Sequence, residues 1–167
     1  MELRKIISTT IKGYLNEAHT TEDYKDMALD YLINKYGSNK TIVYHGSDDI
    51  TYFKNVADID TLNNTKNAKS KYIFVNNKPS VAINYAKNYN GFSEKSGVIV
   101  FKLNGRGYIM KNTDIPIAFK SIVDFELFLD MKKDLGFDFV KIPQDGNNIA
   151  VLNNSVLTVK EILQLIK

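Results

Sequence analysis

Thr41-Ile42-Val43-Tyr44-His45-Gly46-Ser47 is the stretch on which the fold turns. Its β-branched and aromatic residues favour an extended strand, and the run delivers one of only two histidines to a Gly-Ser turn. A strand ending in His-Gly sets an imidazole at the rim of a sheet, where the glycine lets a ligand come close to the backbone. The same residues also suit a buried strand whose histidine is merely hydrogen-bonded. A second stretch is needed to make a site of the first.

Upstream, Thr20 or Thr21 caps a helix running to Tyr36, with Glu22 and Asp23 in the first turn, where the helix dipole favours acids. Tyr24, Met27, Ala28, Tyr31 and Leu32 form its apolar stripe, a core pattern, and Gly37 stops it. Residues 1–17 read as a shorter amphipathic helix with Leu3, Ile6, Ile7, Ile11, Tyr14 and Leu15 on one side, closing in Leu15-Asn16-Glu17 before Ala18. His19 reads as a solvated loop residue.

Downstream, residues 48–70 are polar and too long for an ordinary connection, which makes them a lid or a partly ordered excursion. Lys66, Lys69 and Lys71 could attract phosphates there, or simply be solvated. Tyr72-Ile73-Phe74-Val75 is a second strand with Tyr72 and Phe74 on one face. Asn76 or Asn77 then caps a helix with Pro79 in its first turn and Ala82, Tyr85, Ala86 and Tyr89 on a common face. Val98–Leu103 is a third strand, which an Asn104-Gly105 turn returns as a strand over Tyr108–Met110. Ser121 and Asp124 open a helix that Gly136 ends, strands follow at Phe137–Ile142 and Ile149–Leu152, and Thr158-x-x-Glu161 predicts a capping box for a C-terminal helix. The expected class is α+β, with a split, antiparallel-rich sheet and flanking helices.

At 167 residues the chain suits one domain, expected over 18–167, and its 44% hydrophobic and 25% charged content is ordinary for a globular protein. With no cysteine there is no disulfide framework, no thiolate nucleophile and no Cys-containing zinc site, and two histidines argue against a protein-built metal centre. The formal charge of +3 is mild and only Arg4 and Arg106 are arginines, which argues against a duplex-DNA reader. No apolar run reaches membrane-spanning length.

The order of strand-Tyr44-His45-Gly46-Ser47, then Phe74 on a second strand and Tyr85 eleven residues later on the next helix, resembles the histidine-first branch of the ADP-ribosyltransferase fold, the diphtheria-toxin and poly-ADP-ribose polymerase side of that family. Leu135-Gly136-Phe137-Asp138 and Ile149-Ala150-Val151-Leu152-Asn153 resemble its closing segments, so the likeness covers residues 41–157. It implies NAD as substrate and no metal. His45 would bond a ribose hydroxyl of the adenosine half, and Gly46, beside Ser47, would meet the nicotinamide carboxamide. Phe74 and Tyr85 would sandwich the nicotinamide ring. Two positions depart from the pattern. Phe74 stands where the family has tyrosine, with Tyr72 as an alternative source of a hydroxyl. Asn148 stands where the family has its catalytic glutamate, and Gln144 and Asp145 in the preceding loop could compensate or contact the acceptor.

The activity so implied is mono-ADP-ribosylation of a protein or nucleic-acid acceptor. Leu15-Asn16-Glu17 resembles the end of the capsid-targeting leaders of tailed phages, which are cut after the glutamate. That likeness implies a chain packaged in a virion and acting in the cytoplasm of a bacterial host. Two other readings remain open: a module that binds NAD or ADP-ribose without catalysis, and a packaged virion protein with no ligand.

Overall fold

The computed structural model describes residues 20–51 and 70–166. The expected leader, its Glu17–Ala18 junction, His19 and most of the 48–70 excursion lie outside the described residues. Helix α1 (Thr21–Tyr36) is followed by β1 (Ile42–Ser47), β2 (Ile73–Asn76), α2 (Pro79–Tyr85), β3 (Gly97–Leu103), β4 (Gly107–Ile109), α3 (Ile115–Ala118), α4 (Ile122–Asp134), β5 (Phe139–Ile142), β6 (Asn148–Val151) and β7 (Leu157–Gln164). The strands form one seven-stranded sheet in the order β4-β5-β6-β2-β1-β3-β7, antiparallel except for the β4–β5 pair. The fold is therefore mixed α+β with a largely antiparallel sheet and flanking helices.

Local chemistry accounts for most of these boundaries. Thr20 caps α1 reciprocally with Asp23, satisfying two otherwise orphaned N–H groups. Ser121 caps α4 through the Asp124 N–H, and Gly136 follows that helix at a φ of +80°, where a side chain would be strained. Helix α2 starts with Pro79, as expected, but its N-cap is Lys78, and Asn76 contributes by accepting the Lys78 N–H. It also stops at Tyr85, which leaves Tyr89 outside it and fully exposed.

Two expected elements are corrected. The C-terminal helix is the strand β7. Its ladder with β3 slips by one residue at Lys160, and that bulge turns Val159 to one face and Glu161 and Leu163 to the other. Glu161 therefore enters the protein rather than capping a helix. Burial opposes its charge, but Tyr31, Tyr36 and Lys35 of α1 all donate to it, at 2.7, 2.5 and 2.9 Å, and hold its carboxyl below the usual range. The second correction concerns the return strand after Asn104-Gly105. β4 does not pair with β3 but runs parallel to β5 at the far edge. Asp138, just before β5, draws it there by accepting the Arg106 N–H at 2.7 Å and donating its own N–H to the Arg106 carbonyl.

Three apolar clusters divide the core. α1 and α2 cover one face of the β1-β3-β7 half, through Leu32, Ala82 and Ile83 against Tyr44, Val98 and Val100. α4 covers the β4-β5-β6-β2 half on the same face, through Phe128 and Leu129 against Tyr72, Val140 and Ala150. The third cluster takes strand residues from both halves, Val43, Ile99 and Phe101 with Ile73, Val75 and Val151, and among the described residues no α-helix residue. The two half-sheets thus pack their inner faces on each other, with β1 and β2 at the fold between them. Among the described residues no helix is long and apolar enough to cross a membrane.

Candidate functional site

β1 and β2 meet at this fold, and their pairing is minimal. β1 makes six consecutive pairs with β3 but one with β2, Tyr44 with Asn76. Backbone parity says what the seam exposes. The Leu103 N–H bonds the Thr41 carbonyl, so in the unbroken β1–β3 register Val43, His45 and Ser47 direct their backbone groups to β3, while Tyr44 and Gly46 direct theirs to β2. On β2 the same alternation, set by the Leu152-to-Asp138 bond and carried through β6, turns the Phe74 and Asn76 groups toward β1. The pair that would continue the ladder beyond Tyr44–Asn76 is Gly46–Phe74. It is not formed.

The His45 side chain occupies that place. Its Nδ1 lies 2.7 Å from the Phe74 carbonyl oxygen, and since a carbonyl only accepts, Nδ1 carries the proton. Nε2 is then the unprotonated acceptor. No partner for it is found among the described residues. Burial lowers the His45 pKa from its ordinary 6.5, against a smaller upward pull from the Phe74 carbonyl. The ring is neutral at pH 7.

Gly46 is required by packing. A Cβ there would sit 1.7 Å from the backbone oxygen of Ala82, so α2 lies directly on this residue. The register places Gly46, Phe74 and Asn148 on the same face, that of α2, whose last residue, Tyr85, is 62% exposed. The Phe74 ring stacks on Phe125 at 6.2 Å, which itself stacks on Phe119 at 5.3 Å. Phe74 and Tyr85 share no ring contact. Ser47 is turned inward on its own loop, its hydroxyl donating to the Asp49 carbonyl and accepting the Asp49 N–H. The Tyr72 hydroxyl donates to Asp130 of α4, away from Phe74.

Asn148 lies two strands from β1, about 10 Å at normal strand spacing. Its amide is engaged at both ends: Oδ1 accepts from Asn76 Nδ2 at 2.9 Å, and Nδ2 donates to Asp145 Oδ2 at 3.0 Å. Asn76 also donates to the Gly146 carbonyl at 3.1 Å, which holds the loop down. Of the two loop residues singled out in the sequence, Asp145 touches Asn148, whereas Gln144 donates to the Met110 carbonyl and to Asn112. Asn76 was readable only as a helix cap. Its place two residues beyond Phe74, on the same strand face, was the signal that it borders the site.

A hollow of about 400 Å³ lies elsewhere, at the start of β2, lined by Lys71, Tyr72, Asp130, Lys133 and Asp134. Its lysines and aspartates are mixed, with Lys71 paired to Asp130 at 2.6 Å, so it presents no single charge to a ligand. Among the described residues no group of three or more His, Asp or Glu is placed to hold a metal ion. Compared with family models, with curated proteins and with solved structures, the chain matches none.

Proposed function

We propose that the chain binds NAD at the β1–β2 seam and transfers a single ADP-ribose to a protein or nucleic-acid acceptor. The observation that carries this reading is the His45–Phe74 bond, which fixes the imidazole tautomer and leaves an acceptor at Nε2 beside backbone groups aimed into the seam. In the proposed complex Nε2 accepts a hydrogen bond from a ribose hydroxyl, and Gly46 offers N–H and C=O to the nicotinamide carboxamide. Phe74 and Tyr85 flank the nicotinamide ring, where aromatic contact adds about 0.5–1.5 kcal/mol beyond burial.

Cleavage of the bond between nicotinamide and ribose releases neutral nicotinamide and leaves positive charge on the sugar. The acceptor's nucleophilic atom then bonds to that carbon and loses its proton. The protein's part is to hold the dinucleotide bent and to stabilise the developing cation. Asn148 is neutral, so the charge falls to Asp145, whose carboxylate is held against the Asn148 amide. Without a carboxylate at 148, single transfer is favoured over polymer building.

A second reading, NAD binding without catalysis, draws on the same amide, since both ends of Asn148 already have protein partners. Incubating the chain with NAD labelled in its adenylate half and with a bacterial lysate separates the two. Transfer predicts label on macromolecules with stoichiometric nicotinamide, whereas a binding module predicts neither product. Binding itself is read by thermal shift, because NAD at a hundred times its dissociation constant adds about 2.7 kcal/mol. No shift with NAD, ADP-ribose or nicotinamide removes both readings and leaves a packaged virion protein without a ligand. The proposed setting, packaging in a virion followed by action in the bacterial host cytoplasm, is tested by mass spectrometry of particles. It predicts a chain beginning at Ala18, and an intact Met1 chain contradicts it.

A further inference from the structure

The missing Gly46–Phe74 pair has no cause in the residues themselves. Neither is proline, both belong to strands, and the parity of both ladders directs their backbone groups at each other. Among the described residues, the group that stands at the break is the imidazole on the Phe74 carbonyl.

We infer that His45 is a positioning residue that works as a wedge: by taking the Phe74 carbonyl with Nδ1, it stops the β1–β2 ladder after Tyr44–Asn76 and keeps the Gly46 N–H free of that strand partner. Three features of the chain make this possible. His45 is next to Gly46, so its ring leaves β1 one residue before the broken pair. Phe74 O is turned toward β1, so the imidazole ring lies against the oxygen that the Gly46 N–H would have to approach. Gly46 itself cannot swing away on the other side, because the Ala82 carbonyl lies where its side chain would be. The seam is thus held open from one side by a side chain and fixed on the other by a helix. That an open Gly46 serves ligand binding rests on the NAD reading above; that His45 opens it does not.

Site-resolved amide hydrogen exchange of the full chain tests the wedge without any ligand. In the native chain the amides of Val43 and His45, bonded to β3, and of Tyr44, paired with Asn76, should be protected, and Gly46 should exchange at least about tenfold faster than Tyr44. A Gly46 amide as protected as that of Tyr44 overturns the proposal, and this comparison needs no variant. His45→Val removes the imidazole and keeps a strand-forming residue, so the ladder should close and Gly46 should slow by about tenfold, the worth of one hydrogen bond. His45→Asn, whose Nδ2 can reach the same carbonyl, should restore fast exchange at Gly46. A folded His45→Val chain with unchanged Gly46 exchange refutes the wedge. Fast Gly46 exchange in a native chain that binds no NAD would instead count against the NAD reading alone.

Discussion

β1 is held quite differently along its two edges. Toward β3 it makes six uninterrupted pairs, and β3 continues into seven more with β7; toward β2 it makes one pair and a side-chain bond. The sequence of β1 serves both edges at once, since Val43 fills the core between the half-sheets while His45, two residues on, ends the seam. The closed edge supplies rigidity, and the open edge supplies polar groups that a strand would otherwise consume. A site built this way needs no loop of its own, because unpaired backbone on a fixed strand is already aimed.

Substitutions should separate the two edges by size of effect. Phe101→Ala, in β3 and fully buried between the half-sheets, should cost about 3–5 kcal/mol in urea unfolding. A loss under about 1 kcal/mol would mean that the inner faces do not carry the core. Glu161→Ala should cost roughly 2–3 kcal/mol, because it strands the Tyr31 and Tyr36 hydroxyls; the Lys35 pair adds less, its side chain being 40% exposed. Since the folded carboxyl titrates below its ordinary 4.5, this contribution is present above that pH and is lost as pH falls through the folded value. Acid unfolding of the native and Glu161→Ala chains should therefore converge at low pH.

On the open edge the effects are smaller and more chemical. Asn148→Asp replaces a donor by a carboxylate facing Asp145 and should cost roughly 1–3 kcal/mol at pH 7, recovering as acid protonates one of the two. No penalty would mean that the Asn148–Asp145 bond is not formed in solution. His45, held neutral, should make stability fall as pH drops below 6.5, where the unfolded chain takes up the proton first. The slope cannot exceed about 1.4 kcal/mol per pH unit, and it should be absent in His45→Asn. Tyr85→Ala, at a largely exposed ring, should change stability by no more than about 0.5 kcal/mol. If Tyr85 flanks nicotinamide, the same change should weaken NAD binding measured by calorimetry.

How much of this was legible follows the range of the interactions. Thr20 and Asp23 cap α1 from three residues apart, and Ser121 and Asp124 do the same for α4, so both helices could be read directly. Glu161 misled because its spacing from Thr158 mimics a local cap, while its real partners are Tyr31 and Tyr36, 130 and 125 residues away. β4 misled for the same reason, being drawn off its hairpin by Asp138, 32 residues beyond Arg106. At the site, the residues stood out but their couplings did not. Which edge of β1 presents the Gly46 backbone depends on the register with β3, and no local pattern encodes that.

The most direct measurement is a titration of the isotope-labelled chain with NAD and with nicotinamide, following the Gly46 amide and the His45 ring nitrogens by NMR. The account predicts saturable shifts at Gly46 with both ligands, and at His45 Nε2 with NAD, while the His45 Nδ1 proton stays bound to Phe74. Saturable binding that leaves Gly46 and His45 unmoved, or no binding of either ligand, would contradict it.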